Sequence, residues 1–111
     1  MAVAVTLAPW YIGDDETVQV YLYSDTALTA PVDITGRTYT MSVAVDKGST
    51  PVLTLTGTVT GASGLVSFAA TDTQTGTLSA GAYVFDVVEV SGSAESTIID
   101  GRIPVRTRVT V

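Results

Sequence analysis

The chain has 111 residues and contains neither Cys nor His, which suits a single domain and excludes a disulfide framework, a thiolate metal site and a cysteine nucleophile. Five Lys and Arg stand against eleven Asp and Glu, a net charge of −6, the opposite of the basic patch that nucleic acid or an anionic membrane surface attracts. Without His, the side chain best matched to general base work near neutral pH is missing. The composition therefore points to a structural or binding module rather than an enzyme.

An apolar fraction of 46% with only 14% charged residues excludes disorder, and no apolar run approaches the roughly 18 residues of a membrane-spanning helix. The opening MAVAVTLAPW has no basic residue ahead of its short apolar stretch, so it reads as mature structure made in a cytoplasm rather than as a signal peptide. Period-2 alternation and β-branched residues dominate the chain. Val3, Val5 and Leu7 alternate with Ala4 and Thr6 as a first strand. After Pro9, Trp10, Tyr11 and the acidic run Gly13-Asp14-Asp15-Glu16, a strand is predicted over Thr17 to Tyr23, with Val18, Val20 and Leu22 inward and Gln19, Tyr21 and Tyr23 outward. Ser24 to Gly36 is turn-rich. Arg37 to Asp46 reads as a strand with Tyr39, Met41, Val43 and Val45 on one face, closed by the turn Asp46-Lys47-Gly48-Ser49.

Val52 to Thr60, interrupted by Gly57, and Leu65 to Ala70 read as a hairpin about a turn that Gly61 and Gly64 bracket. Thr71 to Leu78 breaks the alternation, and Asp72 is placed to cap one helical turn. Ser79-Ala80-Gly81 leads into a strand over Ala82 to Val90 with Tyr83, Phe85 and Val87 inward. Ser91-Gly92-Ser93 turns it into Glu95 to Asp100, and Gly101 precedes the last strand. There Ile103, Val105, Thr107, Val109 and Val111 share one face, and Arg102, Pro104, Arg106, Arg108 and Thr110 the other. A slip of one residue would bury three guanidiniums, so the register is strongly specified. Pro104 cannot donate to a ladder, which marks an edge or a bulge. Seven or eight strands at spacings of roughly 8–12 residues are the signature of an antiparallel sandwich or barrel filling residues 1–111 as one domain.

Three constellations are candidates for chemistry, and each has a bland alternative. Asp14, Asp15 and Glu16 offer carboxylates to calcium, or simply blunt a sheet edge. Asp86 and Asp100 offer a carboxylate pair for glycoside hydrolysis, or pair across strands with Arg102, Arg106 or Arg108. Trp10, Tyr11, Tyr21 and Tyr23 offer an aromatic platform for a sugar or a protein partner, or cover the end of the sandwich. We assign no catalytic residue and no metal ligand, since a hydroxyl nucleophile would have only Lys47 as its base.

Four segments together carry a family resemblance. They are Gly13-Asp14-Asp15-Glu16-Thr17, the turn Pro31-Val32-Asp33-Ile34-Thr35-Gly36-Arg37-Thr38-Tyr39, Gly64-Leu65-Val66-Ser67-Phe68 leading to Leu78 through Val87, and Ile98-Ile99-Asp100-Gly101-Arg102-Ile103-Pro104-Val105. In this order the chain resembles the small β-sandwich domain at the N-terminus of phage baseplate upper proteins, and similar small structural proteins of tailed phages. The resemblance implies an immunoglobulin-like β-sandwich that docks onto other virion proteins in a virion assembled in the host cytoplasm, with no enzyme activity and no cofactor. It leaves open the tail, baseplate, neck or capsid-decorating position. Few charges and exposed strand edges suit such packing; Val3 to Leu7 and Arg102 to Val111 are the expected edges. Arg102, Arg106 and Arg108 supply donors for a partner's carboxylates, a second copy in a homo-oligomer included. The alternative is a carbohydrate-binding or adhesion module that stacks sugars on Trp10, Tyr11, Tyr21 and Tyr23.

Overall fold

A computed structural model describes residues 3–23 and 30–108. Its strands are β1 (Val3–Thr6), β2 (Trp10–Tyr11), β3 (Glu16–Tyr21), β4 (Thr38–Ala44), β5 (Leu53–Thr56), β6 (Thr58–Thr60), β7 (Leu65–Ala70), β8 (Gly81–Ser91) and β9 (Ala94–Arg106), with one helical turn, α1 (Asp72–Thr75). The larger sheet runs β1-β9-β8-β4-β5, with β2 also on β9, and the smaller runs β3-β7-β6. The chain is an all-β, immunoglobulin-like sandwich: β9-β8-β4 and β3-β7-β6 reproduce the two characteristic triplets of that fold. Tyr83 adds its tyrosine corner. At the start of β8 its hydroxyl donates to Ser79 O at 2.9 Å and accepts from Ser79 N at 3.1 Å, tying the strand to the turn before it.

Strand alternation builds the core. Tyr39, Met41 and Val43 of β4, Leu53 and Leu55 of β5, Tyr83, Phe85 and Val87 of β8, and Ile103 and Val105 of β9 turn inward from the larger sheet. Val20, Val66, Phe68 and Ala70 meet them from the smaller sheet, and Ile34 and Leu78 close the ends. Each such large side chain contributes about 1.5–3 kcal/mol by leaving water. The expected register of the last strand holds where the structure describes it, with Ile103 and Val105 buried and Arg102 and Arg106 exposed. Val109, Thr110 and Val111 lie outside the described residues, as do residues 24–29 of the turn-rich segment.

Several expectations change. The sandwich is mixed rather than purely antiparallel, because β1 and β2 run parallel to β9. Val52 to Thr60 is two strands rather than one hairpin arm. β5 pairs with β4 and β6 with β7, so the chain changes sheet at Gly57. A Cβ at position 57 would stand 2.5 Å from Val66 Cγ1 and 3.1 Å from Phe68 Cε1, which is why the crossing needs glycine. Val45 falls past the end of β4 and is 52% exposed. The N-cap of α1 is Thr71, not Asp72: its hydroxyl accepts from Gln74 N while Gln74 Oε1 accepts from Thr71 N, a capping box.

The last strand is neither separate nor an edge. Glu95 to Arg106 is one strand that runs through Gly101, with β8 on one side and β1 and β2 on the other. The bulge is at Ile98, since Val87 pairs with Ile99 but Val88 with Thr97. Pro104 sits in the break of the outer strand, after Thr6 pairs with Arg102 and before Trp10 pairs with Val105. A missing N–H costs nothing where no parallel partner lies opposite.

Candidate functional site

The outward face of the larger sheet gathers most of the uncommitted chemistry. Parity along β9 sends Arg102 and Arg106 outward, about 13 Å apart at four strand residues. Tyr11 pairs with Arg106 across the parallel β2–β9 contact and is 37% exposed. Among the described residues, neither Arg102 nor Arg106 makes an ion pair. The other three cations are engaged. Arg37 lies 3.4 Å from Glu89, Lys47 lies 3.4 Å from Asp100, and Arg108 lies 3.3 Å from Asp14. Arg108 has thus left the row of its two neighbours, because β9 ends at Arg106 and the Arg108 side chain meets the acidic loop that follows the parallel strand β2.

Asp86 and Asp100 do come together, directly opposite each other on β8 and β9. The expected arginine partners are elsewhere: Arg102 faces Val84, and the cation near the pair is Lys47 from the β4–β5 turn. Ser42, Lys47, Pro51 and Thr97 wall a shallow groove of about 290 Å3 above them. It is a furrow across a sheet, without the enclosing walls that hold a sugar ring for hydrolysis.

The acidic run is a structural clasp. Glu16 Oε2 accepts from Tyr11 N at 3.0 Å, Asp15 Oδ1 accepts from Asp72 N at 2.7 Å, and Asp14 meets Arg108. Each carboxylate has a protein partner, and among the described residues no group of three or more Asp and Glu is placed to hold a metal ion.

The aromatic platform is dispersed. Trp10 is only 4% exposed and packs in the core, because β2 turns it inward beside Val105. Tyr21, 53% exposed, stands on the outer face of the smaller sheet, and its hydroxyl donates to Gln19 Oε1 at 3.4 Å. Tyr23 is half-buried and bridges to Pro31. Tyr11 and Tyr21 therefore belong to different sheets.

Two clusters escaped sequence reasoning. Glu89 has inward parity at the end of β8. It accepts from Tyr39 Oη at 2.5 Å and from Arg37 Nη1 at 3.4 Å. Burial, then the hydrogen bond and charge of Glu89, push the Tyr39 phenol up to about 12. The only advance sign was a carboxylate at an inward position. Buried Thr75 is the second: its hydroxyl donates to Asp14 O at 2.7 Å and accepts from Gly13 N at 3.1 Å, pinning α1 to the acidic loop. No local pattern announces a bond that spans 61 or 62 residues. Asp33 is held below the ordinary carboxylate range by the Thr35 hydroxyl, then the Thr35 N–H, in the turn before β4. No protein-family model and no curated protein sequence matches the chain.

Proposed function

We propose that this protein is a non-enzymatic docking module, a structural component of a tailed-phage virion that binds neighbouring virion proteins through the outer face of its larger sheet. One observation carries the reading. In a chain with eleven carboxylates and five cations, two guanidiniums, Arg102 and Arg106, stay without an ion pair among the described residues, on one outward row beside Tyr11. Internal partners are plentiful, so a pair left open is a pair of planar donors for carboxylates on another protein. An exposed tyrosine next to arginine has the composition of an interface anchor. The virion context rests on the resemblance of the turn and core segments to phage baseplate domains. The sugar-binding alternative loses its largest ring to the core at Trp10 and has its tyrosines divided between two sheets.

The test is mass spectrometry of purified tailed-phage particles from cells that encode the chain, made with the wild type and with Arg102→Glu/Arg106→Glu. The expected result is the chain in the particles, with the double variant, still folded by far-UV circular dichroism, reduced at least about ten-fold, as expected for loss of charge-assisted contacts. Absence from particles, or wild-type incorporation of the variant, overturns the proposal. A sugar-dependent signal on a glycan array that Tyr21→Ala abolishes transfers the assignment to carbohydrate binding.

A further inference from the structure

We propose that the open edge of β3 is a self-pairing surface, joining two copies of this chain about a twofold axis at Gln19 into one six-stranded sheet. Among the described residues β3 and β6 end the smaller sheet, and β5 and the β1–β2 pair end the larger one. β6 has three residues, β5 has four with Pro51 just ahead of it, and β1 and β2 are interrupted between Thr6 and Trp10. β3 has six residues in unbroken register with β7, from Glu16 opposite Ala70 to Tyr21 opposite Leu65. Past Glu16 at its start it has no charged residue, no proline and no bulge, which are the devices that normally blunt an edge.

Leu22 N donates to Gly64 O at 2.8 Å, so the even-numbered residues turn toward β7. By alternation, Thr17, Gln19 and Tyr21 present their N–H and C=O groups on the open side. A groove of about 240 Å3 separates Glu16, Thr17, Val18 and Gln19 from Leu7 and Pro9, so the edge is bordered by apolar residues and not covered by them.

Charge and register favour a second copy as the occupant. Each copy carries −6, and most surfaces would bring carboxylates together. The outer face of the smaller sheet, made of Thr17, Gln19, Tyr21 and their neighbours Ala69, Ser67 and Leu65, has no charged side chain. Antiparallel self-pairing must keep side-chain parity, which allows a centre at Gln19. That centre sets Gln19 against Gln19, Val18 against Val20 and Thr17 against Tyr21. Two carboxamides can each donate and accept, and an aromatic over a β-branched residue is a favourable cross-strand pair. The two Glu16 side chains then lie at opposite ends, about 20 Å apart at six residues, beyond a Debye length of about 8 Å.

The test is sedimentation equilibrium of the full chain over a range of concentrations, with three single variants at exposed positions whose folding is checked by circular dichroism. The expected wild-type mass is twice 11.5 kDa, changing little with salt. Gln19→Lys, which sets two ammonium groups face to face at the axis, halves it. Gln19→Cys gives a disulfide-linked dimer on oxidation, since opposed Cα atoms about 5.5 Å apart suit a disulfide, and Thr54→Cys on β5 does not. A monomer at every concentration, a dimer that Gln19→Lys leaves intact, or equal cross-linking through Thr54→Cys overturns the proposal. Because this edge lies on the sheet opposite Arg102 and Arg106, its failure leaves the particle experiment unaffected.

Discussion

Thr75 is a single hydroxyl that holds two distant stretches of chain, and its removal isolates that effect. Thr75→Val keeps the shape but leaves the Gly13 N–H and the Asp14 carbonyl without their partner. A loss of about 1–3 kcal/mol is expected in urea unfolding, the cost of an unsatisfied buried group. A loss below a few tenths would mean that water replaces the hydroxyl. Tyr39 gives a residue-scale prediction with a pH signature. Its folded pKa of about 12 lies above the ordinary tyrosine value of 10.0, so the folded state holds the phenolic proton more tightly than the unfolded chain does. The contribution is fully present below pH 10 and declines as the pH rises toward 12. Tyr39→Phe has no such proton, so it should unfold more easily at neutral pH, by about 1–3 kcal/mol for a hydrogen bond to a carboxylate. It should also lose less stability than the wild type between pH 10 and 12. Equal alkaline slopes in the two proteins would contradict the assignment.

Elements show where local pattern stops being informative. The inward sets Tyr39-Met41-Val43 and Tyr83-Phe85-Val87 were legible, because strand parity is a local property and one face of each strand is buried. Turns such as Asp46 to Ser49 were equally legible, since a few turn residues specify them. Pairing was not. Nothing in Val52 to Thr60 says that its halves join different sheets, because both are Thr-alternating, and the decision is made by Tyr39, Val66 and Phe68 crowding Gly57. Likewise Asp72 looked like the cap because any Asp before a helical turn does, while the reciprocal Gln74 bond selects Thr71. The candidate site was half legible for the same reason. Outward parity placed Arg102 and Arg106, but the fates of Arg108 and Trp10 depended on β2 and the acidic loop after it lying beside β9. The element-scale prediction is at the sheet crossing. Gly57→Ala puts a methyl 2.5 Å from Val66 Cγ1 and should cost about 1–3 kcal/mol through overpacking. Gly57→Ala/Val66→Ala should recover part of that cost by removing the opposing methyls. A double variant no better than the sum of its parts would show that Phe68 and Tyr39, rather than Val66, exclude the methyl.

The first and last of the described strands meet in the finished molecule: β1 pairs Val3 with Ile99, and β2 pairs Trp10 with Val105. The larger sheet is therefore complete only when the first and last strands are both in place, an extreme case of the non-local pairing that slows β-sandwich folding. Trp10 reports on that closure because it is the only tryptophan, and it belongs to the same buried cluster as Val20, Phe85 and Ile103. If closure is part of one cooperative unit, Trp10 fluorescence and far-UV circular dichroism should follow a single urea transition with the same midpoint. Trp10→Ala should then destabilise the whole molecule by about 3–5 kcal/mol, the usual cost of emptying a large core site. Thr54→Ala at an exposed position of β5 should stay within about 0.5 kcal/mol. A fluorescence change that precedes loss of circular dichroism would instead make the parallel edge a separately opening unit. In that case Trp10→Ala would leave the main transition in place, and β3 through β9 would have to hold the sandwich without their first partner.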